Sequence, residues 1–272
     1  MSSRLADIFS GPGESRLITY VTGGDPDATR SADILRALDR AGADVLEVGV
    51  PFSDPLADGP VIQRASERAL RAGASLGSVL DLIEQVRSNV DAGVVVFTYA
   101  NPILRFGVEA FTDRAAAIGV DGVLVLDLPI EEAGPFREQV VSAGLDQIFL
   151  VSPTTTDERL SAAAALGSGF LYGISRLGVT GARSEVGGGA PQLVSRIRQV
   201  SSLPVAVGFG VSHPDHVRQI GKWADGVVVG SALVDVIARQ AESDRLAPAI
   251  EEYIRWLRSG TGAVGVSTDH EK

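Results

Sequence analysis

Glu47 stands inside an otherwise apolar run, VLEVGV, residues 45–50. Glutamate is seldom buried without a partner, and withdrawal from water raises its proton affinity. A carboxyl held in that way can exchange protons near neutral pH. The following loop, PFSDPLADGP (51–60), is too rich in Pro, Gly and Asp to be helical, and it brings Asp54 and Asp58 close to Glu47. Two carboxyls in different surroundings can divide the work, one protonated and one ionised. Plainer roles compete with these: Glu47 bonded to backbone or to an arginine, and Asp-Pro and Asp-Gly serving only as turns.

A second group of residues suits an anion. Gly208-Phe209-Gly210 follows one apolar run and Gly230-Ser231 follows the next. Backbone N–H groups at glycine turns and at a helix N-terminus hold phosphate without a cationic side chain, and Ser231 adds a hydroxyl donor. That economy matters here. Of 24 basic residues only Lys222 and Lys272 are lysines, and the net charge is −10. An acidic chain without a basic run does not point to nucleic acid or an anionic membrane as partner.

Other chemistries are excluded by what is missing. With no cysteine there is no disulfide, thiolate metal site or cysteine nucleophile. A Schiff-base aldolase needs a lysine at the site, but Lys222 falls between a helical stretch and the last strand-like run, and Lys272 is four residues beyond Thr268 at the chain's end. His213 and His216 have no third histidine nearby to complete a metal site, and none is expected.

The elements that must position these residues alternate along the whole chain. Eight short apolar runs lie at 17–22, 45–50, 94–99, 122–126, 147–151, 170–173, 205–208 and 226–229. Such continuous runs suit parallel strands buried on both faces. Helical patterns lie between them: Ile34, Leu35 and Leu38 form one apolar face that stops at Ala41-Gly42, and Val79, Leu82, Ile83 and Val86 form another. Further helical stretches fall at 111–118, 136–143, 160–166, 193–200 and 217–220, and Ile250, Ile254 and Leu257 form the last face. This alternation predicts an α/β fold, a single (β/α)8 barrel over residues 1–258, with 259–272 as a flexible tail. An open doubly wound sheet is the alternative. It lacks support from a phosphate loop or a G-x-G-x-x-G after the first strand. In a barrel the working face is at the carboxyl ends of the strands, where Glu47 and the glycine pairs fall. The glycine-rich stretch 176–189 after strand six predicts a mobile loop. No apolar run approaches the ~18 residues of a membrane span, and a soluble cytoplasmic protein is expected.

The string LEVGVPFSDPLADGPVIQ closely resembles the signature of the tryptophan synthase alpha-subunit family. ITYVTGGDP, TYANPILRFG, YGISRLGVTGAR and VGFGVS resemble further segments of it, in the same order, over about residues 5–258. The resemblance implies cleavage of indole-3-glycerol phosphate to indole and glyceraldehyde 3-phosphate in the last steps of L-tryptophan biosynthesis. It makes Glu47 the acid/base group, Asp58 the acceptor of the indole N–H bond, and Tyr172 a neighbour of the glutamate. Gly181, Phe209, Gly210, Gly230 and Ser231 fall on phosphate-binding positions. Tyr20, Phe97, Tyr99, Leu124 and Leu126 line the indole pocket, with Thr180 on the loop that closes over Asp58. Tyr20 departs from the more familiar phenylalanine by a hydroxyl, and Leu126 is larger than the frequent alanine. Pro51, Asp54 and Asn101 match contacts with a beta subunit in an α2β2 heterotetramer, to which indole is passed. No cofactor is expected in this chain; pyridoxal phosphate belongs to the partner. The other readings are a stand-alone lyase releasing indole, a phosphate-binding regulatory barrel without activity, and a phosphoribosyl isomerase on the same fold.

Overall fold

Each apolar run becomes a strand because both its faces are covered, one by helices and one by the other strands. The structure is a computed structural model describing residues 3–11, 15–174, 189–208 and 210–259. Its strands are β1 (Arg16–Thr22), β2 (Val45–Gly49), β3 (Gly93–Thr98), β4 (Gly122–Val125), β5 (Asp146–Val151), β6 (Leu171–Ile174), β7 (Val205–Gly208) and β8 (Gly226–Val229). They pair in parallel, each with the next, and β8 closes onto β1. This is the expected (β/α)8 barrel.

The helices of the outer layer are α1 (Arg4–Ser10), α2 (Ala28–Arg40), α3 (Pro60–Arg71), α4 (Leu76–Arg87), α5 (Ala100–Phe106) and α6 (Val108–Ala117). They continue with α7 (Ala133–Ser142), α8 (Asp157–Leu166), α9 (Ala190–Val200), α10 (Pro214–Ile220), α11 (Ser231–Gln240) and α12 (Leu246–Ser259). Their starts follow capping chemistry: Asp27 accepts the Arg30 N–H of α2, and Ser75 and Ser78 form a capping box on α4. Gly42, just past α2, has φ +94°, a conformation that side-chain-bearing residues seldom adopt. No helix among the described residues is long and apolar enough to cross a membrane. The tail from 260 onward lies outside the described residues.

Strand alternation splits every strand between two cores. Leu46, Val48, Val94, Val96, Val227 and Val229 face outward against the helices. Inward, Ile18, Val45, Val95, Leu124, Ile148 and Phe170 fill the lower barrel and are at most 1% exposed. Full burial of such side chains contributes roughly 1.5–3 kcal/mol each. The lower end is plugged by α1. A β-carbon at Gly93 would lie 2.9 Å from Leu5 Cδ2, and one at Gly226 would lie 3.1 Å from Phe9 Cε1. Glycine at the foot of these strands therefore makes room for the helix that seals the barrel.

Two residues further along the same strands the interior changes. Tyr20, Glu47, Phe97, Leu150 and Tyr172 take the inward positions, and the register sets Tyr20 beside Glu47 and Glu47 beside Val95. Here the barrel is open.

Candidate active site

The upper barrel holds a cavity of about 180 Å³. Glu47 reaches it from β2 and is wholly buried, and among the described residues neither of its carboxyl oxygens has a hydrogen-bond partner. Burial pushes its pKa up to about 8, since among the described residues no donor or cation favours the charged form. At neutral pH this carboxyl holds its proton and can give it away.

Asp58 comes from the loop after β2 and is 8% exposed. Tyr99 Oη donates to its Oδ2 at 3.1 Å, and the same hydroxyl accepts the Ala57 N–H at 3.0 Å. Burial raises the Asp58 pKa to about 6, and the bond from Tyr99 moderates the rise. It is therefore ionised at neutral pH. The two carboxyls in one cavity are set apart by their surroundings, one protonated and one ionised at neutral pH.

Aromatic walls stand around them. Tyr20 meets Phe97 edge to face, with ring centroids 5.1 Å apart, and Tyr99 packs on Phe52 at 5.2 Å. A β-carbon at Gly49 would lie 2.3 Å from Tyr20 Oη, and one at Gly208 would lie 2.4 Å from Tyr172 Oη. Glycine at those strand ends is what admits the two inward tyrosines. Burial raises the proton affinity of both hydroxyls, and Glu47 adds to the effect on Tyr172.

On the β7 and β8 side, Gly210, Gly230, Ser231 and Ala232 line the cavity. Gly210 has φ +80°, a turn that requires glycine. Gly230 precedes α11 and no side chain among the described residues caps that helix, which leaves its first N–H groups at the cavity edge for an anion.

The expected residues do not all meet. Glu47, Asp58, Tyr172, Tyr20, Phe97, Leu126, Gly210, Gly230 and Ser231 share the cavity, with Tyr99 directly behind Asp58. Leu124 does not reach it: it also faces inward, but two residues before Leu126 on the chain, fully buried in the layer below. The structure separates the two loop aspartates: Asp58 lines the cavity, whereas Asp54 is exposed and accepts a hydrogen bond from Ser53 Oγ at 2.6 Å. Pro51 is buried and Asn101 is exposed, both away from the cavity lining. Thr180, Gly181 and Phe209 lie outside the described residues. Ile62, Leu150, Ile174, Val211 and Val228 also line the cavity and were not anticipated. Leu150 and Ile174 carried a signal, for each continues the inward alternation of its strand. Among the described residues no group of three or more histidine or carboxylate side chains is placed to hold a metal ion.

Known proteins are similar to this chain in sequence and in fold. The model of the family described as tryptophan synthase alpha chain matches residues 9–257. The alpha chain of Solibacter usitatus is 44% identical over 260 residues, covering 96% of this chain and 97% of that one. The Synechocystis alpha chain is 47% identical, covering 91% and 94%. A solved chain of Mycobacterium tuberculosis tryptophan synthase superposes with a TM-score of 0.88 at 41% identity, covering 94% of this chain and 97% of that one. A chain of the α2β2 tryptophan synthase complex of Pyrococcus furiosus gives 0.84 at 41% identity, with 90% and 98% covered. With a closed barrel, a proton-holding glutamate and matches of this extent, the chain belongs to the tryptophan synthase alpha-chain family.

Proposed function

We propose that Glu47 and Asp58 divide the work of the family's lyase reaction, cleavage of indole-3-glycerol phosphate to indole and glyceraldehyde 3-phosphate. The Glu47 carboxyl gives its proton to C3 of the indole ring, and positive charge appears at the ring nitrogen. Asp58 accepts the N–H bond and stabilises that charge. The Glu47 carboxylate then takes the proton of the C3′ hydroxyl. The bond between C3 and C3′ breaks, its electrons return to the ring, and C3′ becomes the aldehyde carbon. Glu47 ends protonated, as it began, so the cycle consumes no water and needs no metal or cofactor.

One observation carries this reading: a fully buried carboxyl with no hydrogen-bond partner among the described residues, in the same cavity as an ionised aspartate. Tyr20, Phe97 and Leu126 supply apolar wall for the indole, with Tyr172 beside Glu47. Gly210, Gly230, Ser231 and the start of α11 supply donors for the phosphate, joined by Phe209 and Gly181. Thr180 supports Asp58 when substrate is bound.

Indole then passes to a tryptophan synthase beta subunit, by analogy with the α2β2 complex of the Pyrococcus relative. Leu56, in the loop of Asp54, is 95% exposed and Leu104, in α5 with Asn101, is 67% exposed, and exposed apolar side chains suit a protein contact. Pyridoxal phosphate resides in that partner, and the pair works in the cytoplasm, where its phosphorylated substrate is a soluble metabolite. The test is to incubate the chain with indole-3-glycerol phosphate and follow indole, with and without a cognate beta subunit. Slow release alone and fast turnover in the complex is the expected result. Equal rates would make the chain a stand-alone lyase, and no indole in either case would leave a regulatory barrel.

A further inference from the structure

Asp25 lies in the turn between β1 and α2 and is only 2% exposed. Its carboxylate takes two parallel bonds from one edge of the Arg68 guanidinium, Nε to Oδ1 at 2.8 Å and Nη2 to Oδ2 at 2.8 Å. Burial pushes the Asp25 pKa up and the bonds from Arg68 pull it back. The turn itself is tied down, with the Asp25 N–H on Thr22 O at 3.2 Å and the Gly24 N–H on Ser31 Oγ at 3.0 Å.

Arg68 belongs to α3, and that helix starts directly behind Asp58. In its first turn, Gln63 Nε2 donates to the Asp58 carbonyl at 2.8 Å, and Ile62 forms part of the cavity wall. Ile62 and Ala65 pack with Tyr20 and with Val234 of α11. Beyond Ile62, the buried face of α3 is made of Ala65, Ser66 and Ala69. Small side chains form shallow ridges, so this face alone sets the rotation and height of the helix only weakly. A two-bond fork fixes both distance and orientation.

We propose that Asp25 and Arg68 form a positioning pair for Asp58. They set the rotation and axial height of α3, and through the rigid helix and Gln63 they hold the backbone that aims the carboxylate. The pair contributes geometry more than stability, since desolvation of a buried ion pair roughly offsets its attraction. This rests on the role proposed above for Asp58.

The test uses the full chain assembled with its beta subunit. Removing one partner strands a buried charge, so the informative variant is the double D25L/R68M, which replaces the pair by apolar groups of similar size. Its melting temperature should stay within about 4 °C of wild type, the shift that ~1 kcal/mol produces in a chain of this size. Its kcat should fall about tenfold, as sub-ångström misplacement of a working group does, with KM within about twofold. R68K keeps the charge but loses the fork, and should lose kcat about threefold, again at unchanged KM. Wild-type kcat in the folded double variant, or a rise in KM alone, would overturn the proposal. Should the double variant not fold, wild-type kcat in R68K would overturn it. Glu47→Gln is the control: if that variant stays active, the assignment of the reaction fails, whereas an inactive Glu47→Gln beside a fully active double variant removes only the positioning pair.

Discussion

The lower and upper halves of this barrel are built from the same strands, two residues apart. Ile18, Val45, Val95, Leu124, Ile148 and Phe170 fill the lower half, sealed by Leu5 of α1. Tyr20, Glu47, Phe97, Leu126, Leu150 and Tyr172 follow them and surround a cavity. Below, these six side chains are apolar and pack on one another. Above, the wholly buried Glu47 carboxyl has no hydrogen-bond partner among the described residues. The packed lower half stabilises a fold whose upper half holds an energetically unfavourable group. Activity and stability are therefore separable by a step of two residues.

Glu47→Gln should break the comparison most sharply. The amide is isosteric but carries no exchangeable acid proton, and general acid/base groups typically contribute ~10²–10⁴-fold. Indole release should fall by that range while the barrel stays folded. Stability should change in the opposite sense. In the fold Glu47 keeps its proton up to pH about 8, whereas its ordinary value is 4.5. Between these limits the folded state binds more protons than the unfolded chain, so wild-type stability is eroded as pH rises. Relative to wild type, the variant should gain stability from about pH 5 to 8 and then hold a constant advantage. Paired denaturation curves across that range check the sign.

Leu124→Ala addresses the lower half. It removes a fully buried side chain and should cost ~2–5 kcal/mol in chemical denaturation. Turnover per folded molecule should stay within about threefold; a collapse of turnover at native stability would put Leu124 in the substrate pocket after all. Ser231→Asp sets a carboxylate at the start of α11 beside the proposed phosphate. It should raise KM roughly tenfold, from the ~1–2 kcal/mol that a charge at a helix end is worth. An unchanged KM would move the phosphate elsewhere.

Leu126→Ala, two residues above Leu124, should give the smallest effect. Half-buried at the cavity wall, it should cost little stability and raise KM a few-fold, as lost methyl groups in an apolar pocket do. Steady-state kinetics beside a melting curve separate the two leucines.

The sequence carried the eight strands plainly, because continuous apolar runs have few uses besides strands covered on both sides. Their ends were less plain. The run 122–126 passes Val125, the last residue of β4, because Leu126 still donates its N–H to Thr98 O at 2.9 Å and still faces inward. Three helices gave weak signals. The buried face of α3 is mostly alanine and serine, α5 opens with Asn-Pro after one residue, and the apolar face of α11 merges with β8 in GVVVGSALVDVIA. Glu47 was legible because an acid inside an apolar run has to be explained. Asp58 and Asp54 were not distinguishable by local residue type, since each sits in a turn-forming pair. What separates them is the return of the loop onto the Tyr99 hydroxyl at the end of β3, a contact across 41 residues of sequence. Arg68 and Asp25 were silent for the same reason, being 43 residues apart.

The central claim is that the upper half keeps a neutral carboxyl in wait. Its most direct test is a site-resolved titration of Glu47, by the carboxyl infrared band or carbon-13 shift that disappears in Glu47→Gln. An apparent pKa of about 8 in the folded, ligand-free chain is the expected result. A value near 4.5 would mean the group is already ionised at neutral pH, and the account of how the reaction starts would fail.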